Sequence, residues 1–385
     1  MCTFRRIVFV IVLALLATAV LPEVSWADSS QVRFMETTGV SVSLIAVDSS
    51  ETVIQPRGGV LVIDLRATVR IRNDGARPIR GISLGVWTGE ATLGSKASVA
   101  VPGLYMKPGE LFPLKLALRL LRPLPAPKES IVSIEVDGLL FDNFHFQGPD
   151  RLDSRRRLMV WTMQADRDRE AMRKVLAAGG PEKLREQVLA RLVAQQQRPR
   201  LEARSLGRSV STSMRNLAER RLTLAFSDIP KSPVGALAGS AFVAGRTARA
   251  PKVTVENRSS KAVQYFELGW VIDDALGRRY AAGSLPAPNS PIRLAPGQSI
   301  VTSADRRFSF WPVNEGENRD FLVKGIRGFI TQVQFEDGSL WIPSREDLRQ
   351  ANLLELLPAS PEEQRLTNLY RRRGLDGLIE ELGRY

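Results

Sequence analysis

The sequence predicts a mainly β protein: two immunoglobulin-like β-sandwiches joined by a helical segment, with further helices appended. Three observations predict it. Two long stretches are rich in Val, Ile and Leu, alternate in part with polar residues, and are bounded by Gly, Pro, Asn and Asp. The two stretches share an ordered set of motifs. The segments between and after them place apolar residues at helical spacing instead.

The first β stretch, 32–146, offers candidate strands at 40–47, 60–72, 79–87, 111–120 and 131–136. The second, 221–342, offers 222–226, 241–243, 252–256, 263–272, 300–309 and 326–335. Val69, Ile71, Asn73, Ile79, Leu84 and Gly85 are matched by Val253, Val255, Asn257, Val263, Leu268 and Gly269, all at one constant offset. A Pro108-Gly109 turn is matched by Pro296-Gly297 at a slightly larger offset, and Asp137-Gly138 by Asp337-Gly338 at a larger one still. Order is kept and spacing drifts by loop insertions, which reads as a tandem duplication. In Val-x-Val-x-Asn the two apolar side chains share one strand face and Asn opens a polar turn. Gly after Leu84 and Leu268 implies a bulge or a close backbone approach. Pro-Gly suits a type II turn, with positive φ at the glycine. No Cys…Trp…Cys pattern is present, which excludes a true immunoglobulin domain.

Between the stretches, Leu158, Trp161, Ala165, Met172, Val175 and Leu176 form a helical stripe over 153–178. Gly179-Gly180 stops that helix and Pro181 starts another, over 181–197. Residues 198–213 are polar and basic and read as a flexible linker. Helices are expected over 345–357 and 360–373, the latter opened by Ser360-Pro361-Glu362-Glu363, and a short one over 375–382. The organisation is therefore a leader over 1–27, a first module over 30–150, an Arg-rich helical connector over 151–213, a second module over 214–343 and C-terminal helices over 344–385.

The leader rests on Arg5 and Arg6, the apolar run from Ile7 to Leu21, and Ser25 and Ala27 at the positions of a cleavage site. The run falls short of the ~20 residues that span a bilayer. Export to the periplasm or beyond, with cleavage after Ala27, is the expectation; retention as an N-terminal membrane anchor is the alternative. The one cysteine, Cys2, lies inside this leader, so the exported chain has no thiol for a disulfide, a nucleophile or a metal.

The chain carries 54 Lys and Arg against 41 Asp and Glu, a net charge of +13. From Arg151 to Arg208 there are 15 basic and 7 acidic residues, so most of the surplus sits in the connector. Such a stretch attracts anionic polymers or lipid, or simply forms a solvated helix face. Arg155, Arg156, Arg157, Arg167 and Arg173, with Trp270 and Trp341 of the second module, are the candidate interaction residues. Trp270, Trp311 and Trp341 also suit a sandwich core.

Few chemistries remain open. A single histidine, His145, stands between Phe144 and Phe146 and reads as a core-edge residue. Serine triads and histidine-based metal sites need more. The acidic pairs Asp273-Asp274, Glu336-Asp337, Glu362-Glu363 and Glu380-Glu381 are better explained as turn and helix-start residues than as paired catalytic carboxylates. Asp273-Asp274 before Gly277 lacks the full ligand spacing of a calcium loop. No phosphate-binding glycine loop opens a helix after a strand, and aromatics do not interleave with the arginines, which argues against nucleotide and nucleic-acid binding.

Asn257-x-Ser259, the strand to Leu268-Gly269-Trp270, the Asp274–Gly277 turn and Leu294-x-Pro296-Gly297 resemble bacterial exported sandwich modules of the FxLYD type. Phe266-Glu-Leu268-Gly269-Trp270 replaces that family's aromatic-Leu-Tyr-Asp core. The resemblance covers part of each copy. It implies a small adhesion- or scaffold-like module and assigns no functional residues. The expectation is a non-enzymatic envelope protein without a cofactor, whose partner is another envelope protein or an anionic surface polymer, with no small-molecule substrate evident. Attachment through the basic connector and a carboxylate-based hydrolase are the alternatives.

Overall fold

The computed structural model describes residues 32–88, 96–124, 131–206, 218–286, 292–303, 307–313 and 321–384. The expected leader and Cys2 lie outside these residues.

The first sandwich contains β1 (Val32–Met35), β2 (Val42–Asp48), β3 (Val53–Arg57), β4 (Val60–Asn73), β5 (Ile79–Trp87), β6 (Lys96–Met106), β7 (Leu111–Pro123), β8 (Val132–Phe141) and β9 (Phe146–Gln147). One sheet runs β1-β8-β5-β6, with β9 also on β8; in the other, β4 is flanked by β2 and β3 on one side and by β7 on the other. After the connecting helix α1 (Ser154–Gln197) come β10 (Leu201–Leu206), β11 (Arg220–Thr223), β12 (Ala225–Phe226), β13 (Val234–Ala244), β14 (Thr247–Asn257), β15 (Val263–Asp274), β16 (Arg279–Pro286), β17 (Ser299–Ser303), β18 (Arg307–Pro312), β19 (Val323–Phe335) and β20 (Leu340–Trp341). They build a second sandwich with sheets β12-β19-β15-β16 and β10-β18-β14-β13-β11, β20 joining β19 and β17 joining β14. Helices α2 (Arg345–Gln350) and α3 (Pro361–Leu382) complete the chain.

The strand order of one sandwich maps onto the other. In each, the long Val-x-Val-x-Asn strand, β4 or β14, centres one sheet. The Leu-Gly strand, β5 or β15, lies beside the last long strand of the other, and a short early strand joins that last strand in parallel. β4 shows why the pattern holds: Leu61, Ile63, Leu65, Ala67, Val69 and Ile71 alternate into the core, while the residues between them are less buried.

β5 and β8 are buried on nearly every residue because the second face of their sheet is covered by α1, whose Leu158 packs over Gly81. β15 is likewise covered: Val271 packs with Ile229, Phe329, Leu348 and Leu353 beneath α2 and the turns that follow it.

The two expected Pro-Gly turns form as predicted. Gly109 and Gly297 take φ of 75° and 73°, and Glu110 N and Gln298 N each donate to the first turn carbonyl, of Lys107 and Ala295, at 3.1 Å. The Leu-Gly positions are close approaches: a Cβ on Gly85 would strike the Trp87 ring, and one on Gly269 the Phe329 ring.

Five expectations are corrected. Asp137-Gly138 does not correspond to Asp337-Gly338. Asp137 is inside β8, whereas Asp337 lies in the turn after β19, and the counterpart of that turn is Asn143-Phe144. There Phe141 N donates to His145 O as Phe335 N does to Ser339 O, and Phe144 takes the positive φ that Gly338 takes. The linker over 198–213 begins instead with β10, because its backbone pairs with β18 and Leu201 packs on the second core; 207–213 lie outside the described residues. The helix expected over 345–357 stops at Gln350, where Asn352 at φ 55° turns the chain. The strand expected over 300–309 is two strands, β17 and β18. His145 is exposed in a turn, stacked on Phe141, and is not a core-edge residue.

The other helical expectations match. α1 bends at Gly180 (φ 70°, ψ −172°), which Pro181 follows, and α3 bends at Gly374 with nearly the same angles (φ 70°, ψ −167°). The arms pack together around Met172, Leu184, Val188, Leu192, Leu366, Leu378 and Leu382.

Candidate functional site at the helix–sandwich junction

The start of α1 is set by Asp137. This buried carboxylate accepts from Arg151 N at 2.8 Å, Leu152 N at 3.2 Å and the Ser154 hydroxyl. Ser154 also bonds Ser83 at 2.8 Å, which fixes the helix on the outer face of β5 and β8. Arg157 lies over the same spot and donates to Ser98 at 2.5 Å; burial pushes its guanidinium below the ordinary value.

Further along, α1 carries charge on its buried face. Arg169 is fully buried. It donates through Nε to Glu362 at 2.7 Å and through Nη2 to the Gly103 carbonyl at 2.6 Å. A single side chain thus ties β6 of the first sandwich, α1 and α3. Gly103 permits this because its φ is 66° and a Cβ there would crowd the guanidinium. Its neighbour Asp168, also buried, accepts from Arg345 Nη1 at 2.8 Å and from the Ser360 hydroxyl at 2.6 Å, with Arg167 Nε at 3.6 Å. Arg167 in turn donates to the Pro343 carbonyl at 2.8 Å. Asp168 therefore joins α1 to the starts of α2 and α3.

The candidate interaction residues divide along these lines. Arg155 is exposed beside Gly338. Arg156 stacks over the Tyr265 ring at 3.7 Å, bridging α1 to the second sandwich. Arg157 and Arg167 are used internally, and Arg173 donates to the Leu382 carbonyl at 3.0 Å, near the end of α3. Trp270 is buried in the second core beside an apolar cavity of about 200 Å³, and its Nε1 has no hydrogen-bond partner among the described residues. Trp341 is half-buried on β20. The structure does not bring these seven residues to one face.

The acidic pairs are engaged. Asp274 accepts from Leu276 N, Arg278 N and Arg278 Nε within 2.9 Å, and Asp273 pairs with Arg279 at 3.5 Å. Glu336 pairs with Arg293, Asp337 with Lys261, Glu362 with Arg169 and Arg365, Glu363 with Arg345 and Arg191, Glu380 with Arg373, and Glu381 with Arg365. No cluster of three metal-ligating side chains occurs among the described residues. No helix among them is long and apolar enough to cross a membrane.

Asp168, Arg169, Arg191, Arg198 and Arg345 were not singled out from sequence. A signal exists for two of them: Asp168 and Arg169 fall between Ala165 and Met172, on the helix stripe that had to be buried. Together with Arg167, Asp168, Arg191, Arg198 and Arg345 wall a cavity of about 470 Å³ between the two arms of α1, the α2–α3 connection and β19.

No protein-family model matches the chain, and no curated protein matches it. Among solved structures, pT26-6p is similar over 88% of this chain and 73% of its own, at 8% identity and a TM-score of 0.17. A structure of allantoicase is similar over 74% of this chain and 83% of its own, at 9% identity and a TM-score of 0.08. Likeness at these scores assigns neither fold nor function.

Proposed function

We propose that the chain is an exported, non-enzymatic binding or scaffolding protein of the cell envelope, built from a duplicated FxLYD-like module. The observation that carries this reading is the α1 spine. It holds one sandwich through Asp137, Ser83 and Gly103, and reaches the other through Tyr265 and Pro343. A scaffold needs its surfaces held in place, and the α1 contacts to both sandwiches support that reading. The shared strand order supports the duplication. The pairing of every candidate acid with a cation favours structure over carboxylate catalysis. The inward use of Arg157, Arg167 and Arg169 favours a scaffold over electrostatic attachment through the connector.

The test is expression of the full chain in a bacterial host, fractionation, and mass spectrometry of the mature N-terminus, followed by crosslinking in the intact envelope. The expected result is a chain beginning at Asp28 outside the cytoplasm and a discrete crosslinked partner. An uncleaved chain confined to the cytosol would overturn the reading, and so would a turnover activity abolished by changing a single Asp or Glu.

A further inference from the structure

The cavity at the junction is built of more cation than its own carboxylates neutralise. Arg167, Arg191, Arg198 and Arg345 line it, against Asp168 and Glu363 from the same wall. The remaining acid, Glu355, is exposed but lines the cavity too and partly offsets Arg198. Four guanidinium groups thus meet three carboxylates, an excess of one positive charge. Asp168 accepts from Arg345 and Ser360. Glu363 is 3.5 Å from Arg345 and 3.6 Å from Arg191, too far for a good hydrogen bond to either.

Arg191 is the telling residue. Its side chain is 10% exposed, yet neither Nε nor Nη1 has a hydrogen-bond partner among the described residues. Arg198 Nε and Arg167 Nε are likewise without one. Burial pushes Arg167, Arg191 and Arg198 all below the ordinary arginine value, and the nearby carboxylates only partly offset that. A buried guanidinium with unused donors is costly, so such donors are normally paired. Their planar fork matches the oxygens of a phosphoryl or carboxylate group.

The volume sets the size of the occupant. About 470 Å³ lies within the range of small-molecule pockets and is far more than one bare anion fills. The rest of the wall is mixed: Phe329 from β19, Leu348 from α2, and Leu354 and Leu357 from the turns after it supply apolar surface, while Gln164, Gln187 and Thr331 are polar. The cavity therefore offers buried arginine donors with an excess of one positive charge, beside apolar surface.

We propose that this cavity is a binding site for a small organic phosphate, its phosphoryl dianion held by Arg191, Arg198 and Arg167 and its organic part lying against Phe329 and Leu354. The occupant bridges both arms of α1 and the α2–α3 connection, so binding stiffens the joint between the sandwiches. The proposal stands apart from export and from the identity of any protein partner.

The probes are inorganic phosphate and phenyl phosphate, titrated calorimetrically into the full chain at constant ionic strength in phosphate-free buffer. Both are expected to bind saturably at one site, with phenyl phosphate tighter by about tenfold through its buried ring. Arg191→Gln is expected to weaken both by about tenfold or more. Ala194→Phe keeps all four arginines and fills space in the cavity, so it is expected to exclude phenyl phosphate. Absence of saturable phenyl phosphate binding to the unaltered chain overturns the proposal. Unchanged affinity in folded Arg191→Gln also overturns it. If that variant does not fold, unchanged phenyl phosphate affinity in Ala194→Phe overturns the placement instead. Equal affinity for the two probes would make free phosphate the occupant and remove the organic part of the assignment.

Discussion

Asn73 and Asn257, at equivalent points of the repeated motif, make the same bonds in the two sandwiches. Each is fully buried at the end of its sheet's central strand. Asn73 Nδ2 donates to the Arg77 and Met106 carbonyls at 2.9 Å, and Asn257 Nδ2 to the Lys261 and Leu294 carbonyls at 2.8 Å. Each Oδ1 accepts from the backbone two residues on, Gly75 N or Ser259 N. The backbone of each asparagine is clasped by its Pro-Gly turn, through Gly109 N and Glu110 O in one case and Gly297 N and Gln298 O in the other. One asparagine thus pins two loops. Replacing either by Ala removes the amide donor from two carbonyls, one in a buried bond, and the acceptor from one backbone N–H, at a cost of about 3 kcal/mol. Urea unfolding of the two variants should give similar losses; a loss at only one site would show that the clasps are not equivalent.

Arg169 should be the most sensitive residue of the junction. Arg169→Met strands Glu362, which is 5% exposed, with Arg365 as its remaining partner. Breaking a buried pair from one side costs about 3–5 kcal/mol. Adding Glu362→Gln should recover part of that, since the half-paired buried carboxylate is then gone and Arg365 keeps Glu381. Denaturation of the single and double variants measures this coupling. Additive losses would mean that the pair contributes little beyond packing.

The two helix bends call for glycine more strictly than ordinary helix ends do. Gly180 and Gly374 combine φ of 70° with extended ψ, a region that side chains scarcely enter. Space is not the issue, for nothing lies within 4 Å of a Cβ built on either. Ala and Asn at these positions should be comparably destabilising, by about 1–3 kcal/mol each, although Asn usually tolerates a left-handed helix end. Thermal unfolding of the Ala and Asn variants separates the two cases; mild Asn variants would show that the bends relax to an ordinary left-handed conformation.

Asp337 titrates well below the usual carboxylate range, chiefly because Lys261 donates to it, with Ser339 adding side-chain and backbone bonds. A depressed folded value means that its contribution is present above the ordinary carboxylate pKa and is lost as pH falls toward the folded one. Lys261→Met should move the Asp337 carboxyl midpoint back up toward the ordinary value, read by carbon NMR. No movement would assign the depression to Ser339 alone.

The centre of each sandwich was legible because its strands obey one local rule. Val-x-Val-x-Asn and the Leu-Gly strand carry alternation, a turn and a close approach in a few residues. β3 and β16 were not legible, because Val53–Arg57 and Arg279–Pro286 gain strand geometry only from pairing to β4 and β15. β10 was hidden for the same reason. Its polar sequence looks like a linker until β18 supplies the backbone partner. The Arg-rich helix was visible, but the direction of its charges was not. Sequence shows that Arg157, Arg167 and Arg169 lie on a helix; it does not show that Ser98, Pro343 and Glu362 come from elsewhere to meet them. Asp168 falls on the stripe that had to be buried, but its partners Arg345 and Ser360 lie far along the chain and the sequence does not name them.

The helical cluster has a consequence for synthesis on the ribosome. Met172, Leu184, Val188 and Leu192 are covered by Leu366, Leu378 and Leu382, which are translated only after the whole second sandwich. Until then the nascent chain carries an uncovered apolar stripe and a buried-type arginine, Arg169, without Glu362. That interval is when a chaperone would find most to hold, and a stop codon before α3 would make the exposure permanent.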